Sequence, residues 1–96
     1  MEFLVRQSNR MPITPDFAEQ RQTLMRAERK RAQELRDGGF LVRLWRVPGT
    51  RDSIGLYRAQ DATELHDLLS SLPMFPWMEM RVEALATHPQ EAAPDA

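Results

Sequence analysis

The hydrophobic and polar positions of this chain form four short apolar segments and two longer amphipathic ones. The short segments are bounded by turn residues and are predicted to be β-strands: residues 2–8, 40–47, 53–59 and 77–86. The longer segments carry their apolar residues on one helical stripe. The first helix is predicted to start with Thr14 as its cap and to run to Asp37, before two glycines. The second follows the cap residue Asp61 and ends at Pro73, so the order of elements is βαββαβ.

This order is that of the α+β ferredoxin-like fold, a four-stranded antiparallel sheet with two helices on one face. Residues 48–52 are predicted to connect the second and third strands as a hairpin. The other face of the sheet then has no cover within one subunit. Several large side chains are expected on that face: Leu4, Arg6, Trp45, Tyr57 and Trp77. So many rings are unfavourable in water, which predicts that a partner subunit covers them.

Length and charge limit the number of domains and the classes of partner that the chain can have. The 96 residues are predicted to form one domain at residues 1–87, followed by a tail at 88–96 without periodicity. A domain of this size buries a modest share of its surface, which also favours a homo-oligomer. With 13 Lys and Arg against 14 Asp and Glu, no broad positive field for nucleic acid is expected. No stretch resembles a membrane span or a signal peptide and there is no cysteine, so a cytoplasmic protein without membrane contact is expected.

The position of Glu28 makes it a candidate catalytic residue. At about 100° per residue it lies roughly 40° from Leu24, inside the apolar stripe that also contains Phe17 and Leu35. A carboxylate directed between helix and sheet loses water, which raises its pKa and makes it a better base near neutral pH. The structural alternative is a buried ion pair of Glu28 with Arg21, near the same stripe, or with an arginine of a strand.

The two histidines are not predicted to form a catalytic or metal site. His66 is predicted to be a partly buried helix residue, and His88 lies where the tail begins. Because they are far apart in sequence and no cysteine accompanies them, no metal site is expected.

Five segments along the chain form a recognisable series. They are Ala27-Glu28 with Ala32-Gln33-Glu34-Leu35, then Leu44-Trp45-Arg46, Glu64-Leu65-His66-Asp67-Leu68-Leu69, Leu72-Pro73-Met74-Phe75-Pro76-Trp77-Met78-Glu79, and His88-Pro89. In this order they resemble the muconolactone Δ-isomerase family and cover nearly the whole chain. The segment from Leu72 to Glu79 is the most specific of them.

The resemblance implies a ferredoxin-like subunit, assembled into a ring-like decamer, that acts in the catabolism of catechol-derived acids. Its implied activity shifts the ring double bond of muconolactone to give the 3-oxoadipate enol-lactone, without metal or organic cofactor. Glu28 matches the helical glutamate of the family and is expected to be the general base. Arg46 is favoured for holding the carboxylate or the lactone oxygen, because it belongs to the matching Leu-Trp-Arg segment. Further candidates to bind the small lactone acid are Arg43, Arg6, Trp45 and Tyr57.

The chain departs from the family pattern on both sides of the hairpin. Family members usually carry Trp-Arg-His before the Leu-Trp-Arg and Tyr-Ala-Asn-Tyr after the hairpin glycine. Here these positions are Leu41-Val42-Arg43 and Arg51-Asp52-Ser53-Ile54, which predicts altered substrate contacts and leaves a changed substrate or lost activity open. Two other functions also stay open. One is elimination of halide from a chlorinated muconolactone by the same base, and the other is a non-catalytic module that binds a small acid or only assembles.

Overall fold

The structure is a computed structural model that describes residues 1–91. Its strands are β1 (Glu2–Asn9), β2 (Leu41–Arg46), β3 (Asp52–Arg58) and β4 (Met78–Leu85), and its helices are α1 (Ala18–Asp37) and α2 (Ala62–Ser70). All paired strands are antiparallel, in the spatial order β2-β3-β1-β4. The predicted ferredoxin-like arrangement is therefore confirmed. The predicted tail includes a 3-10 turn at Pro89–Glu91, and its remainder, residues 92–96, lies outside the described residues.

The hydrophobic core lies between the sheet and the two helices. It combines residues from every element except β4: Phe3, Val5, Leu35, Leu41, Tyr57, Ala59, Leu65, Leu68, Leu69 and Leu72. Full burial of one such aliphatic or aromatic side chain contributes about 1.5–3 kcal/mol. The three leucines that α2 contributes therefore hold this nine-residue helix against the sheet, since a helix so short is marginal by itself.

Helix α1 begins at Ala18, three residues later than predicted, and ends at the predicted residue, Asp37. The turn Pro15–Phe17 leads into the helix, and the Thr14 side chain makes no capping hydrogen bond. At the other end Gly39 adopts a φ of 82°, and the Phe40 N–H donates to the Leu35 carbonyl at 2.9 Å. Glycine adopts this left-handed conformation at little cost, which explains why the helix stops there.

Helix α2 begins with the predicted cap. The N–H of Glu64 donates to Asp61 Oδ1 at 2.8 Å, and Glu64 Oε1 in turn accepts from the N–H of Gln60 at 2.9 Å. The helix ends at Ser70, before the predicted end at Pro73. The difference is physical, because the residue before a proline disfavours helical backbone and Leu72 turns into the core instead.

Strand β2 contains one more residue than the part of β3 that it pairs with. Leu41 pairs with Tyr57 and Arg43 pairs with Leu56, so Val42 forms a β-bulge. Because side chains alternate along a strand, the bulge exchanges the faces of all later β2 residues. The second half of β2 therefore presents Leu44 and Arg46, rather than Arg43 and Trp45, to the face under the helices.

Two residues predicted for the uncovered face of the sheet lie elsewhere. Tyr57 pairs with Phe3 on the face under the helices and is 2% exposed. Trp77 lies in the 3-10 turn before β4, where its ring meets that of Phe17 edge to face at 6.2 Å. The prediction was wrong for both, because strand register turns Tyr57 to the helix side and Trp77 lies in the turn before β4 begins. The register does place Leu4, Arg6 and Trp45 on the uncovered face, beside Ile54 and Leu56. Neither helix of residues 1–91 is both long and apolar enough to cross a membrane.

Candidate active site

A cavity of about 400 Å³ lies beside α1, between the helix and the sheet. Its apolar wall includes Ala32, Leu41, Leu44 and Leu72, and Glu28 projects into it from the helix. Glu28 reaches this place because it precedes the buried Leu35 by close to two helical turns and therefore shares its side of α1. Ala32 lies between them on the same side, and its small side chain leaves the space open. A cavity of this size is typical of small-ligand sites.

The carboxylate of Glu28 is half-buried and makes one polar contact. Its Oε1 accepts from the backbone N–H of Met74 at 2.9 Å. Burial raises the pKa of Glu28 above its ordinary value, and the Met74 hydrogen bond offsets part of that rise. Among residues 1–91, no arginine or lysine lies within ion-pair distance of it. Arg21 instead donates to the carbonyls of Pro12 at 2.8 Å and Thr14 at 3.3 Å, so the ion-pair alternative is not realised.

A smaller cavity of about 170 Å³ adjoins Glu28 and is cationic. Arg29, Arg46 and Arg51 line it, and Arg51 is held in place by donating to the Met11 carbonyl at 3.0 Å. Glu28 thus lines both cavities, and so do Arg29 and Arg46. Within residues 1–91, no three His, Cys, Asp or Glu side chains gather in an arrangement that could hold a metal ion.

Three polar side chains form a hydrogen-bonded chain in the larger cavity. Gln7 Nε2 donates to the hydroxyl oxygen of Tyr57 at 3.3 Å, and Ser53 Oγ donates to Gln7 Oε1 at 3.2 Å. Tyr57 and Gln7 are buried, at 2% and 7% exposure. Burial raises the pKa of the Tyr57 hydroxyl, the Gln7 hydrogen bond opposes this, and the negative charge of Glu28 raises it further. Tyr57 therefore remains a neutral hydroxyl at physiological pH.

The structure brings together some of the residues predicted for the site and separates others. Arg46 and Tyr57 line the cavity with Glu28 through side chains on the helix side of the sheet, and Trp45 borders it from β2 while its side chain belongs to the uncovered face. Arg6 lies on the uncovered face of the sheet, where its guanidinium pairs with Asp52 at 2.8 Å. Arg43 lies on that face too, with Cζ 5.4 Å from the centre of the Trp45 ring. Neither arginine lines the cavity, because the register of β1 and the bulge of β2 place both on the other face of the sheet.

Sequence reasoning missed several groups of the site. Gln7 could have been found, because it continues the inward-facing series of Phe3 and Val5 in β1 and a polar residue at such a position signals a buried hydrogen bond. Ser53, two residues before Gly55, carries a weaker signal of the same kind. The N–H of Met74 could not have been found, since a backbone donor leaves no trace in a residue pattern.

Fold and cavity together define a ferredoxin-like domain in which a half-buried carboxylate, without an ion-pair partner among residues 1–91, faces a cavity of small-ligand size. Its sequence agrees with the family described as "Muconolactone delta-isomerase" over residues 1–91. It is 35% identical over 88 residues to Muconolactone Delta-isomerase 2 of Acinetobacter lwoffii, covering 92% of this chain and 91% of that protein. To Muconolactone Delta-isomerase of Pseudomonas aeruginosa it is 32% identical over 95 residues, covering 99% and 98%.

Solved structures agree with this result. The crystal structure of a muconolactone isomerase superposes with a TM-score of 0.82 at 32% identity, covering 99% of this chain and 98% of that one. A 5-chloro-2-hydroxyhydroquinone dehydrochlorinase from Burkholderia phenoliruptrix superposes with a TM-score of 0.64 at 16% identity, over 94% and 98%, and shares the fold. The chain belongs to the muconolactone Δ-isomerase family. It is an enzyme of the isomerase class, of the intramolecular oxidoreductase type.

Proposed function

We propose that this protein shifts the ring double bond of muconolactone, or of a closely related lactone acid, with Glu28 as the general base and no cofactor. The observation that carries the proposal is the state of the Glu28 carboxylate. It is half-buried beside a cavity of suitable size, its pKa is raised, and no cation among residues 1–91 neutralises it. The Met74 N–H engages one carboxylate oxygen and leaves the other for a substrate proton.

One carboxylate is sufficient for this reaction. Glu28 removes the proton from the ring carbon that bears the carboxymethyl arm, and the electron pair spreads through the ring to the lactone carbonyl oxygen. The resulting dienolate takes the proton back at the carbon next to the carbonyl. No atom is gained or lost, and a base with a raised pKa is suited both to accept the proton and to return it.

The guanidinium of Arg46 provides a positive charge for the carboxylate of a lactone acid. It lines both cavities beside Glu28, and no carboxylate of residues 1–91 lies within ion-pair distance of it. A guanidinium binds a carboxylate through two parallel hydrogen bonds. With the lactone ring against Leu41 and Leu44, the carboxymethyl arm extends towards Arg46 in the cationic cavity.

We also propose that the protein works as a homo-oligomer, with the decamer of the family as the specific expectation. Leu44 at the cavity is 40% exposed, and Trp45 and Leu85 on the uncovered face of the sheet are 41% and 40% exposed. Covering these side chains by a partner subunit would remove apolar surface from water and close the cavity towards solvent. A monomer at micromolar concentration in light scattering would contradict this proposal.

The experiment that tests the function is NMR of purified protein with muconolactone in D₂O. We expect conversion to the enol-lactone, with exchange of ring protons. Exchange without net conversion would indicate a working base and a different lactone substrate. Chloride release from a chlorinated muconolactone, without isomerisation of muconolactone, would assign the protein to elimination. Absence of exchange, conversion and chloride release would contradict the proposal and favour a binding or assembly role.

A further inference from the structure

The Tyr57 hydroxyl is held in the cavity more firmly than packing alone requires. Gln7 Nε2 donates to the hydroxyl oxygen, and Ser53 Oγ donates to Gln7 Oε1. Because Ser53 occupies the carbonyl end of the Gln7 amide, the amino end points towards Tyr57. The phenol therefore serves as acceptor for Gln7, and its own hydrogen remains to be donated.

The backbone of β3 also fixes the phenol ring. A Cβ atom on Gly55 would lie 2.7 Å from Cε2 of Tyr57, closer than such atoms approach in proteins. The ring consequently lies directly over Gly55, two residues away on the same face of the strand. Only glycine leaves the space that this ring position needs.

The Tyr57 hydroxyl hydrogen has no acceptor among the side chains of residues 1–91. Tyr57 and Glu28 line the same cavity, and the negative charge of Glu28 contributes to the raised pKa of the Tyr57 hydroxyl. A neutral donor next to a base is the arrangement required when a base removes a proton and negative charge appears on an oxygen nearby.

We propose that Tyr57 is a second catalytic residue, whose hydroxyl donates a hydrogen bond to the lactone carbonyl oxygen as the dienolate forms, and that Gln7 is its positioning residue. The inference rests on the proposed function. Glu28 takes the ring proton and later returns it, while Tyr57 keeps its own proton throughout. The hydrogen bond strengthens as charge develops on the oxygen, so it lowers the barrier more than it tightens substrate binding.

The kcat and KM of variants distinguish a catalytic role of Tyr57 from a structural one. Tyr57→Phe is expected to lower kcat by about 10²-fold with KM nearly unchanged, as for loss of one oxyanion donor. Gln7→Met should lower kcat by about tenfold, because the hydroxyl is kept and its direction is lost. Gln60→Met is the matched control, since Gln60 is exposed and outside the cavity, and it should leave kcat unchanged. A Tyr57→Phe variant that folds normally and keeps its full kcat would overturn the proposal, whatever Glu28→Gln does.

A binding measurement tests Tyr57 independently of turnover. The probe is tetronic acid, a five-membered lactone whose ring is an enolate at neutral pH and resembles the dienolate. By calorimetric titration, Tyr57→Phe should bind it at least about tenfold more weakly than the wild type, since a hydrogen bond to a charged oxygen is lost. Glu28→Gln should not lose affinity. Failure of the wild type to bind tetronate, or equal affinity in Tyr57→Phe, would overturn the role of Tyr57. A wild type that binds tetronate through Tyr57 but shows no ring-proton exchange, conversion or chloride release would refute the proposed function alone.

Discussion

Two carboxylates on opposite faces of the same sheet behave in opposite ways. On the uncovered face, Asp52 accepts from Arg6 Nε at 3.1 Å and from Nη2 at 2.8 Å, and this hydrogen-bonded partner lowers its pKa. On the helix side, Glu28 accepts from the N–H of Met74 and has a raised pKa because burial dominates. Asp52 is therefore a stable anion with little tendency to take a proton.

The difference shows what makes a carboxylate useful as a base in this fold. An arginine lies near each acid along the chain or in space, and the chain is rich in arginine, so proximity in sequence does not distinguish them. Arg21, the partner on α1 that the sequence suggested for Glu28, instead donates to the carbonyls of Pro12 and Thr14. The pKa of Glu28 is raised because burial outweighs the hydrogen bond from Met74.

The largest effect is expected from Glu28→Gln. The amide keeps the size of the side chain and cannot accept a proton, so turnover of the true substrate should fall by about 10²–10⁴-fold. Since no buried ion pair is broken, folding should survive, and melting temperature and turnover should be measured on the same preparation. A Gln variant that is active and normally folded would refute the mechanism. A strong loss of stability would instead reveal a structural partner of Glu28.

A smaller loss is expected from Arg46→Ala. Removal of a guanidinium that binds the carboxylate or the developing oxyanion should cost about 2–4 kcal/mol in the transition state, measured as kcat/KM. Stability should change little, because Arg46 is exposed. Arg43→Ala is the matched control, since the bulge places Arg43 on the other face of β2. Equal losses in both variants would indicate that the arginines act through general charge or through assembly.

The pH dependence should sharpen the contrast between the two acids. Below the raised pKa of Glu28 the base is protonated, so kcat/KM should rise about tenfold per pH unit and level off above the ordinary range of a glutamate. The unfolded chain loses this proton at lower pH than the folded protein, so the stability of the wild type relative to Glu28→Gln should fall as pH rises between the two pKa values. Chemical denaturation of both proteins across pH 4 to pH 8 measures this, and parallel curves would contradict a raised pKa.

The smallest effect is expected from Asp52→Asn. The variant removes the charge that Arg6 holds on the uncovered face, and it should leave turnover and its pH profile unchanged because Asp52 does not line the cavity. Stability should decrease slightly at neutral pH, and the decrease should disappear in acid as pH falls through the lowered pKa of Asp52. A changed assembly state in light scattering would assign the Arg6–Asp52 pair to a subunit interface.

Features that depend only on neighbouring residues could be predicted from the amino-acid sequence alone. The caps at Asp61 and Gly39 set helix boundaries, because each acts within a few residues of itself. The helical period placed Glu28 on the buried side of α1, because 3.6 residues per turn relates it directly to Leu35. These features needed no knowledge of the rest of the chain.

Features that depend on strand register could be seen only in the tertiary structure. Alternation divides β3 into two faces without saying which one the helices cover, and Ile54 and Leu56 look more like core than Ser53 and Gly55 do. Pairing of β3 with β1 places the face that contains Tyr57 under the helices. The bulge at Val42 then put Arg46 and not Arg43 beside the cavity, since one inserted residue reverses every later side chain.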